Sequence, residues 1–495
     1  MSHRCLAISI AALGSTFLTS LPAFAAPSKE SDKQRIERLE STVADLTRRL
    51  EASESREAAR SQQVQQLQQT QQTQQAQQVE QAQQVQQLQQ AQQTEETRVA
   101  SAEKKTPDHN LELYGFTQLD AIQDFKRVNP DWDATLRPSR IPTTKGEFGS
   151  DGQTVFSVRQ TRLGAKANGT LAGKPYEAKF EFDLYGTGVD AGQTTFRVRH
   201  MYGKWGPFLA GQTNTLFMDG DEFPNVIDYW GPTGMVFVRN PQIRFSFVDN
   251  EEWFAAVALE HPSDDIDPGA IRLIDPELAT NLKPNEELPD LTAQVQYRGS
   301  WGHVTLAGLA RKIGFDTAGV PDNEPSGSEF GWGIHGGAVV TFKPATLRLG
   351  VVYGKGIASY MNDGGMDLAP SAQLIPFPPI FPPPPQPPLN ELLSAEAVPL
   401  LGVTAYVDLQ WTGELSSSIG YSFTKVNNTN FQDATAFHRG DYASGNLLWT
   451  PADRILTGLE LLWGKRTDND GNSGTDFRAQ YSFKVSFSSK DIWGD

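Results

Sequence analysis

Two arginines separated by one residue, Arg197 and Arg199, stand in the segment 195–201. Phe196 and Val198 hold the alternate positions. Successive side chains of an extended strand point to opposite faces, so the two guanidinium groups share one face and the two apolar side chains share the other. A guanidinium group donates two parallel hydrogen bonds to a carboxylate. The pair therefore predicts a surface that binds or selects anions.

A similar alternation surrounds Arg244, which lies between Ile243 and Phe245. Arg159 and Arg162 are three residues apart, so a regular strand cannot present both on one face. The alternating apolar residues that follow favour Arg162 on the polar face, and Arg159 then requires a bulge in the strand or a contact with another subunit. The candidate anion-binding residues are Arg162, Arg197, Arg199, Arg239 and Arg244.

Carboxylates on a neighbouring segment offer these arginines a different role. Glu177, Glu181 and Asp183 occupy one face of the segment 176–184, and the arginines could serve only to pair with them. The two roles are compatible, because donors left over after pairing still attract an anion. Both interpretations stay open at the level of the sequence.

The segments that carry these residues follow the two-residue period of a strand. In the last of them the apolar face comprises Phe477, Ala479, Tyr481, Phe483, Val485 and Phe487, and the polar face comprises Arg478, Gln480, Ser482, Lys484 and Ser486. The same alternation recurs in the segments 176–184, 291–298, 332–342, 403–411 and 415–423. About ten such residues with aromatic ends are typical of a strand that crosses a membrane at a tilt.

Short and long connections alternate along the chain after residue 110, and one of the short turns is predicted near Asn168-Gly169. The long ones lie near 126–152, 214–241, 261–289, 316–329, 361–399, 427–436 and 467–475. Short turns on one side and long loops on the other are typical of an outer-membrane barrel. We predict an all-β transmembrane barrel of about sixteen antiparallel strands over residues 111–495. A β-sandwich would need fewer strands than this. A β-propeller would show a sequence repeat of about 40–50 residues, one for each blade, and no such repeat is seen.

An arginine that faces lipid near the bilayer midplane costs roughly 2–4 kcal/mol, so the arginine faces should line the lumen. The segment 214–242 is the long third loop, and we expect it to fold inward and narrow the lumen. Acids on this loop that face the arginines would set up a transverse electric field. The candidate residues of the constriction loop are Asp219, Asp221, Glu222, Asp228 and Trp230.

The first 105 residues have a different character. Residues 1–25 are predicted to be a signal peptide, with a basic residue, an apolar run and an Ala-Phe-Ala cleavage site. Residues 26–105 are predicted to form a periplasmic α-helical coiled coil, because the glutamine-rich sequence of 62–69 recurs at 83–90 in the same heptad register. Residues 106–110 are predicted to be a linker into the barrel.

Several classes of protein are disfavoured. The only cysteine, Cys5, lies in the predicted signal peptide, so disulfides and cysteine metal sites are not expected in the mature chain. The histidines show no close metal-ligand spacing, and no phosphate loop or hydrolase motif is present. We predict no enzyme activity, no cofactor, no metal and no nucleic-acid partner. The proline-rich stretch 375–388 is predicted to be an extended spacer.

Four segments in this order resemble the DcaP-like family of trimeric outer-membrane porins: Leu113–Asp120, Arg159–Gly164, Phe196–Gly203 and Gly211–Thr215. The resemblance implies a homotrimer in the outer membrane of a Gram-negative bacterium, in contact with its lipid. It also implies passive diffusion of small anionic solutes, with dicarboxylates as the substrate class. A lumen-binding role is implied for Arg162, Arg197, Arg199 and Arg244.

Other functions remain open. A sugar-specific or general porin would use lumen-facing tyrosines as stacking platforms, and Tyr114, Tyr406 and Tyr442 are the candidates. The coiled coil could also tether the barrel to peptidoglycan as a secondary structural role. An enzyme housed in a barrel would need a Ser-His pair on the outer wall, and none is evident in the sequence.

Overall fold

The computed structural model describes Glu37, Arg38, Glu40, Ser41, Val43, residues 109–372 and residues 393–493. The chain divides into two compact units, residues 1–106 and 107–495. The five described residues of the first unit are helical. The predicted signal peptide, the rest of the predicted coiled coil and the proline-rich stretch lie outside the described residues.

Antiparallel strands make up most of the second unit. Their bounds are β1 Asn110–Asp124, β2 Gln153–Ser157, β3 Arg162–Leu171, β4 Lys174–Tyr185, β5 Thr194–Trp205, β6 Phe208–Asn214, β7 Arg239–Asp249, β8 Trp253–Glu260, β9 Leu282–Pro284, β10 Asp290–Gly299, β11 Gly302–Thr317, β12 Gly327–Phe342, β13 Ala345–Lys355, β14 Leu368–Ala372, β15 Leu393–Ala397, β16 Pro399–Gln410, β17 Leu415–Val426, β18 Phe437–Ala452, β19 Ile455–Asp468 and β20 Ser473–Ser488.

These strands close into a barrel. The first strand, β1, pairs with the last, β20, so the sheet has no free edge there. The strands β2 and β3 both pair with β1 and act as one interrupted barrel strand. The short β9 pairs only with the last three residues of β11 and does not cross the barrel wall as a separate strand. The strands β14 and β15 pair with each other in a separate two-stranded sheet. The closed barrel therefore has sixteen antiparallel strands, as predicted.

The described helices of the second unit are short and lie in the connections or after β20. The α-helices span Ile271–Ile274, Pro276–Asn281 and Lys490–Trp493, and the 3₁₀ helices span Pro130–Trp132, Pro138–Arg140, Gly188–Asp190, Gly220–Glu222, Pro321–Asn323 and Ala358–Tyr360. Among the described residues, no helix has the length and apolar character needed to cross a bilayer.

The predicted alternation sorts side chains between the two faces of the wall. On β20, Phe477, Tyr481, Phe483, Val485 and Phe487 keep 38% to 46% of their surface exposed, whereas Arg478, Gln480 and Ser482 are fully buried. The apolar faces thus point outward and the polar faces point into the barrel. Such a wall fits hydrocarbon outside and a hydrated interior.

One predicted turn is misplaced. The Asn168-Gly169 dipeptide is a common hairpin signal, but Asn168 pairs with Glu177 inside the β3–β4 ladder. The chain turns instead at Ala172 and Gly173, whose φ angles are 49° and 74°. Two positive φ values match a tight hairpin turn, and the ladder continues because the strand alternation persists beyond Gly169.

The interruption between β2 and β3 explains the spacing of Arg159 and Arg162. The Thr161 amide donates to the Val158 carbonyl over 3.0 Å, which forms a turn inside the strand. Arg159 is buried as a result, and its guanidinium carbon lies 4.0 Å from the centre of the Tyr185 ring. The irregularity that Arg159 was expected to require is present, and both arginines point inward.

Arg478 is the buried charge that links the last strand to the barrel interior. Its guanidinium group lies 2.7 Å from Asp124 and 3.3 Å from Asp476. Replacing Arg478 with alanine would leave two buried carboxylates without a cation, so we expect a loss of about 3–5 kcal/mol in the free energy of unfolding. Urea unfolding in detergent, followed by heat-modifiable gel mobility, measures the change. The exposed Arg454, paired with Asp491, supplies an Arg454→Ala control that should lose no more than about 1 kcal/mol.

Candidate functional site

The loop between β6 and β7 folds into the barrel and contacts the opposite wall. Near its start, Asp219 Oδ2 lies 2.8 Å from His303 Nε2 and accepts a hydrogen bond from the Thr305 hydroxyl over 2.6 Å, both on β11. Glu222 reaches the next strand, where His335 Nε2 lies 3.0 Å from its Oε1. These carboxylates anchor the first half of the loop to the wall.

The second half of the loop crosses to other strands. The Ile227 amide donates to Glu460 on β19 over 2.8 Å. Asp228 accepts from the Tyr442 hydroxyl on β18 over 3.1 Å and from the Thr135 hydroxyl over 2.8 Å. The loop therefore spans the interior and leaves only part of the lumen open.

In the described part of the chain, none of the candidate acids of the loop makes an ion pair with an arginine, and the transverse electric field stays a prediction. Asp219, Glu222 and Asp228 are buried and direct their oxygens at hydroxyl, imidazole and amide groups of the wall. Burial raises the pKa of Asp228 and of Glu222. Asp221 is exposed, and Trp230 donates to the Asn362 carbonyl over 2.5 Å. Short-range hydrogen bonds thus occupy the carboxylates of Asp219, Glu222 and Asp228.

On the barrel wall, Arg197 and Arg199 of β5 pair with carboxylates of β4. Arg197 makes a bidentate contact with Asp183, over 3.2 Å and 2.8 Å. Arg199 donates to Glu181 over 2.9 Å and to Asp183 over 3.0 Å. Tyr229 of the loop also donates to Asp183. The pairing that the sequence left open is therefore present.

Two further cations share the same carboxylates. Arg162 of β3 lies 3.6 Å from Glu181, and Lys179 lies 3.4 Å from it. The Tyr114 hydroxyl donates to Glu181 over 2.8 Å. Four cations thus contact two carboxylates, so donor capacity remains after pairing. We call Arg162, Lys179, Arg197 and Arg199 the arginine cluster.

The arginine cluster borders a cavity of about 1250 Å³ inside the barrel. The described residues that line it include ten Lys or Arg side chains but only six Asp or Glu side chains. Arg239, at the start of β7, also lines the cavity, and its guanidinium carbon lies 4.9 Å from the Phe237 ring. Arg239 makes no ion pair with any acid in the described part of the chain. The cavity surface therefore carries an excess of positive charge.

The remaining candidate residues are placed differently. Arg244 donates to the Asn214 carbonyl over 2.6 Å and to the Gln242 side chain, and it is not part of the cavity lining. Asp228 and Trp230 line the cavity, whereas Asp219, Asp221 and Glu222 do not. The structure brings together Arg162, Arg197, Arg199 and Arg239, and it leaves Arg244 outside this group.

Arg137 lines the cavity, but no pattern in the sequence marks it as a residue of the site. Arg137, in the first long loop, lies between two indole rings, 4.1 Å from Trp132 and 4.4 Å from Trp230. It also pairs with Asp363 over 2.9 Å. No strand alternation marks Arg137, because it lies outside the strands and reaches the cavity only through loop packing.

The tyrosines proposed as stacking platforms for a sugar are mostly covered. Tyr406 and Tyr442 are almost completely buried, and Tyr442 bonds to Asp228 of the constriction loop. Tyr114 is half-buried and bonds to Glu181. Two of the three rings are therefore inaccessible to a solute in the lumen.

Comparisons with known proteins agree with this architecture. A family model described as the DcaP outer membrane protein matches residues 47–273, a range that contains the arginine cluster and the constriction loop. The crystal structure of the outer membrane channel DcaP of Acinetobacter baumannii is similar with a TM-score of 0.61 at 22% identity, over 78% of this chain and 99% of that chain.

Two other solved structures show weaker likeness. An anion-selective porin from Comamonas acidovorans has a TM-score of 0.48 at 10% identity, over 77% of this chain and 100% of that chain. OmpT, an outer membrane protein of Vibrio cholerae, has a TM-score of 0.44 at 9% identity, over 78% of this chain and 99% of that chain. No curated protein matches the chain.

The family match and the shared sixteen-stranded barrel confirm the resemblance predicted from the sequence. The outer membrane of a Gram-negative bacterium is the location that this family and fold support. The chain is a porin-like outer-membrane channel that is similar to the DcaP outer membrane protein family over residues 47–273.

Proposed function

We propose that the channel mediates passive diffusion of small anionic solutes, chiefly dicarboxylates, through the constriction formed by the arginine cluster and Arg239. The observation that carries this proposal is the excess of cations over carboxylates on the cavity surface. A lumen that presents fixed guanidinium donors replaces part of the water that a carboxylate gives up on entry. Conduction also requires weak binding, and the carboxylates behind the arginines moderate the attraction.

A charge-selectivity measurement tests the proposal. The full chain is inserted in a planar bilayer under a potassium chloride gradient, and the reversal potential reports the ratio of anion to cation permeability. We expect a preference for chloride. Liposome swelling then compares a dicarboxylate with a neutral sugar of similar size, and faster entry of the dicarboxylate is expected. A cation-selective reversal potential would refute the proposal.

Arg239 offers a single-residue prediction. It lines the cavity and pairs with no described acid, so its positive charge is not compensated locally. Arg239→Ala should lower the anion-to-cation permeability ratio by about twofold to fivefold, which corresponds to an electrostatic change on the order of 1 kcal/mol or less. The control is Arg298→Ala, because Arg298 lies on β10 outside the cavity lining. Equal reversal potentials for the two variants would contradict the assignment.

The remaining expectations from the sequence are part of the same proposal. They are a homotrimeric assembly, a cleaved signal peptide, a periplasmic coiled coil and contact of that coil with peptidoglycan. Co-sedimentation of the full chain with peptidoglycan, compared with a chain from which residues 26–105 are deleted, tests the last of these. Equal pelleting of both chains would remove the tethering role.

A further inference from the structure

A group of potential metal ligands lies where the constriction loop contacts β11, and it comprises Asp219, Asp221 and His303. One donor atom from each lies within 4.8 Å of the other two. Two carboxylates and one imidazole are the donor types that Zn²⁺ and similar divalent transition-metal cations take in proteins. Asp219 and His303 are buried, while Asp221 is exposed.

The carboxylate of Asp221 has no partner of its own. Within the described residues it makes no hydrogen bond and no ion pair, and only the Asp221 backbone carbonyl contacts the wall, through Arg348. Asp219 is different, because its Oδ2 already lies 2.8 Å from His303 Nε2. An imidazole nitrogen and a carboxylate oxygen at this separation can also bind one cation together, once the nitrogen is deprotonated.

A second observation points to the same place. Glu222 is 1% exposed, and its Oε1 accepts no hydrogen bond of good geometry, although His335 Nε2 lies 3.0 Å away. A Cβ placed on Gly337 would stand 1.8 Å from Glu222 Oε1 and 3.4 Å from Asp219 Oδ2. The buried carboxylate of Glu222 therefore lies beside that of Asp219 and adds negative charge next to the three candidate ligands.

We infer that Asp219, Asp221 and His303, with Glu222 beside them, form a binding site for one divalent transition-metal cation at the base of the constriction loop. The cation would replace the proton on His303 Nε2, which is released to solvent. It would tie the exposed Asp221 to β11 and so fix the loop segment that contains Gly220, a residue of the cavity lining. This inference does not depend on the selectivity of the channel.

The test uses the full-length protein in detergent, without a histidine tag and after treatment with EDTA. Co²⁺ is added, and visible absorption and equilibrium dialysis report its binding. We expect saturable binding of one Co²⁺ per chain, displacement by Zn²⁺, and a loss of affinity of about tenfold or more in Asp221→Asn and in His303→Gln. Asp190→Asn is the matched control, since Asp190 is also an exposed aspartate of a 3₁₀ helix and should leave binding unchanged.

His303→Gln removes a buried group and could impair folding, so Asp221→Asn decides the outcome. Asp221 is exposed and its side chain makes no contact that folding needs. Absence of saturable Co²⁺ binding by the unmodified protein would overturn the inference. Binding that persists at full affinity in Asp221→Asn would overturn it as well.

Discussion

Replacing both Arg197 and Arg199 with alanine is expected to abolish most of the anion preference of the channel. In the unmodified protein four cations contact Glu181 and Asp183, and the double replacement leaves only Arg162 and Lys179 to balance them. The local surplus of positive charge then disappears. Two unit charges at about 4 Å in a water-filled lumen contribute on the order of 1 kcal/mol each, or about 2 kcal/mol together, so the permeability ratio should fall by about thirtyfold.

The matched control retains the charges and changes only their geometry. In Arg197→Lys/Arg199→Lys the two positive charges remain, but the planar bidentate contact with Asp183 is lost. We expect the reversal potential of this variant in a potassium chloride gradient to stay near that of the unmodified channel. A dicarboxylate should nevertheless block or permeate differently, because lysine offers no forked donor. If the alanine variant retained the original reversal potential, the arginine cluster would not determine selectivity.

The second large effect is expected from Gly337→Ala on β12. A Cβ at this position would lie 1.8 Å from Glu222 Oε1. Glu222 is held in this place by His335, whose Nε2 lies 3.0 Å from Glu222 Oε1. The replacement should therefore expel Glu222 from the wall at a cost of about 1–3 kcal/mol. We expect a larger single-channel conductance with frequent transitions, since the start of the constriction loop loses an anchor.

The neighbouring Gly336 supplies the control for this experiment. No atom lies within 4 Å of a Cβ placed there, so Gly336→Ala makes the same chemical change without a clash. Its conductance should equal that of the unmodified channel. Identical single-channel records for Gly336→Ala and Gly337→Ala would show that Glu222 does not anchor the loop.

Much of the wall was predictable because strand alternation is a local property. Each residue of β20 could be assigned to the outer or inner face from its immediate neighbours, and the observed exposure of Phe477 and burial of Arg478 follow that assignment. The same local rule placed Arg197 and Arg199 inside the barrel. The rule failed at Asn168-Gly169, because a turn-forming dipeptide can also lie within a paired ladder.

The contacts of the candidate site are of a different kind. Asp219 meets His303 across 84 residues of chain, and Glu222 meets His335 across 113. No local pattern relates these positions, since their proximity depends on how the loop crosses the closed barrel. Arg137 likewise reaches the cavity only through the packing of two tryptophans.

The amino-acid order alone was sufficient for the barrel, its strand number and the inward direction of the arginines, because lipid on one side and water on the other act on every strand separately. The closed fold decided which carboxylates pair with those arginines and which strands the constriction loop contacts. Barrel closure brings distant strands within hydrogen-bond distance, and a short-range interaction forms only between groups that the complete fold places together.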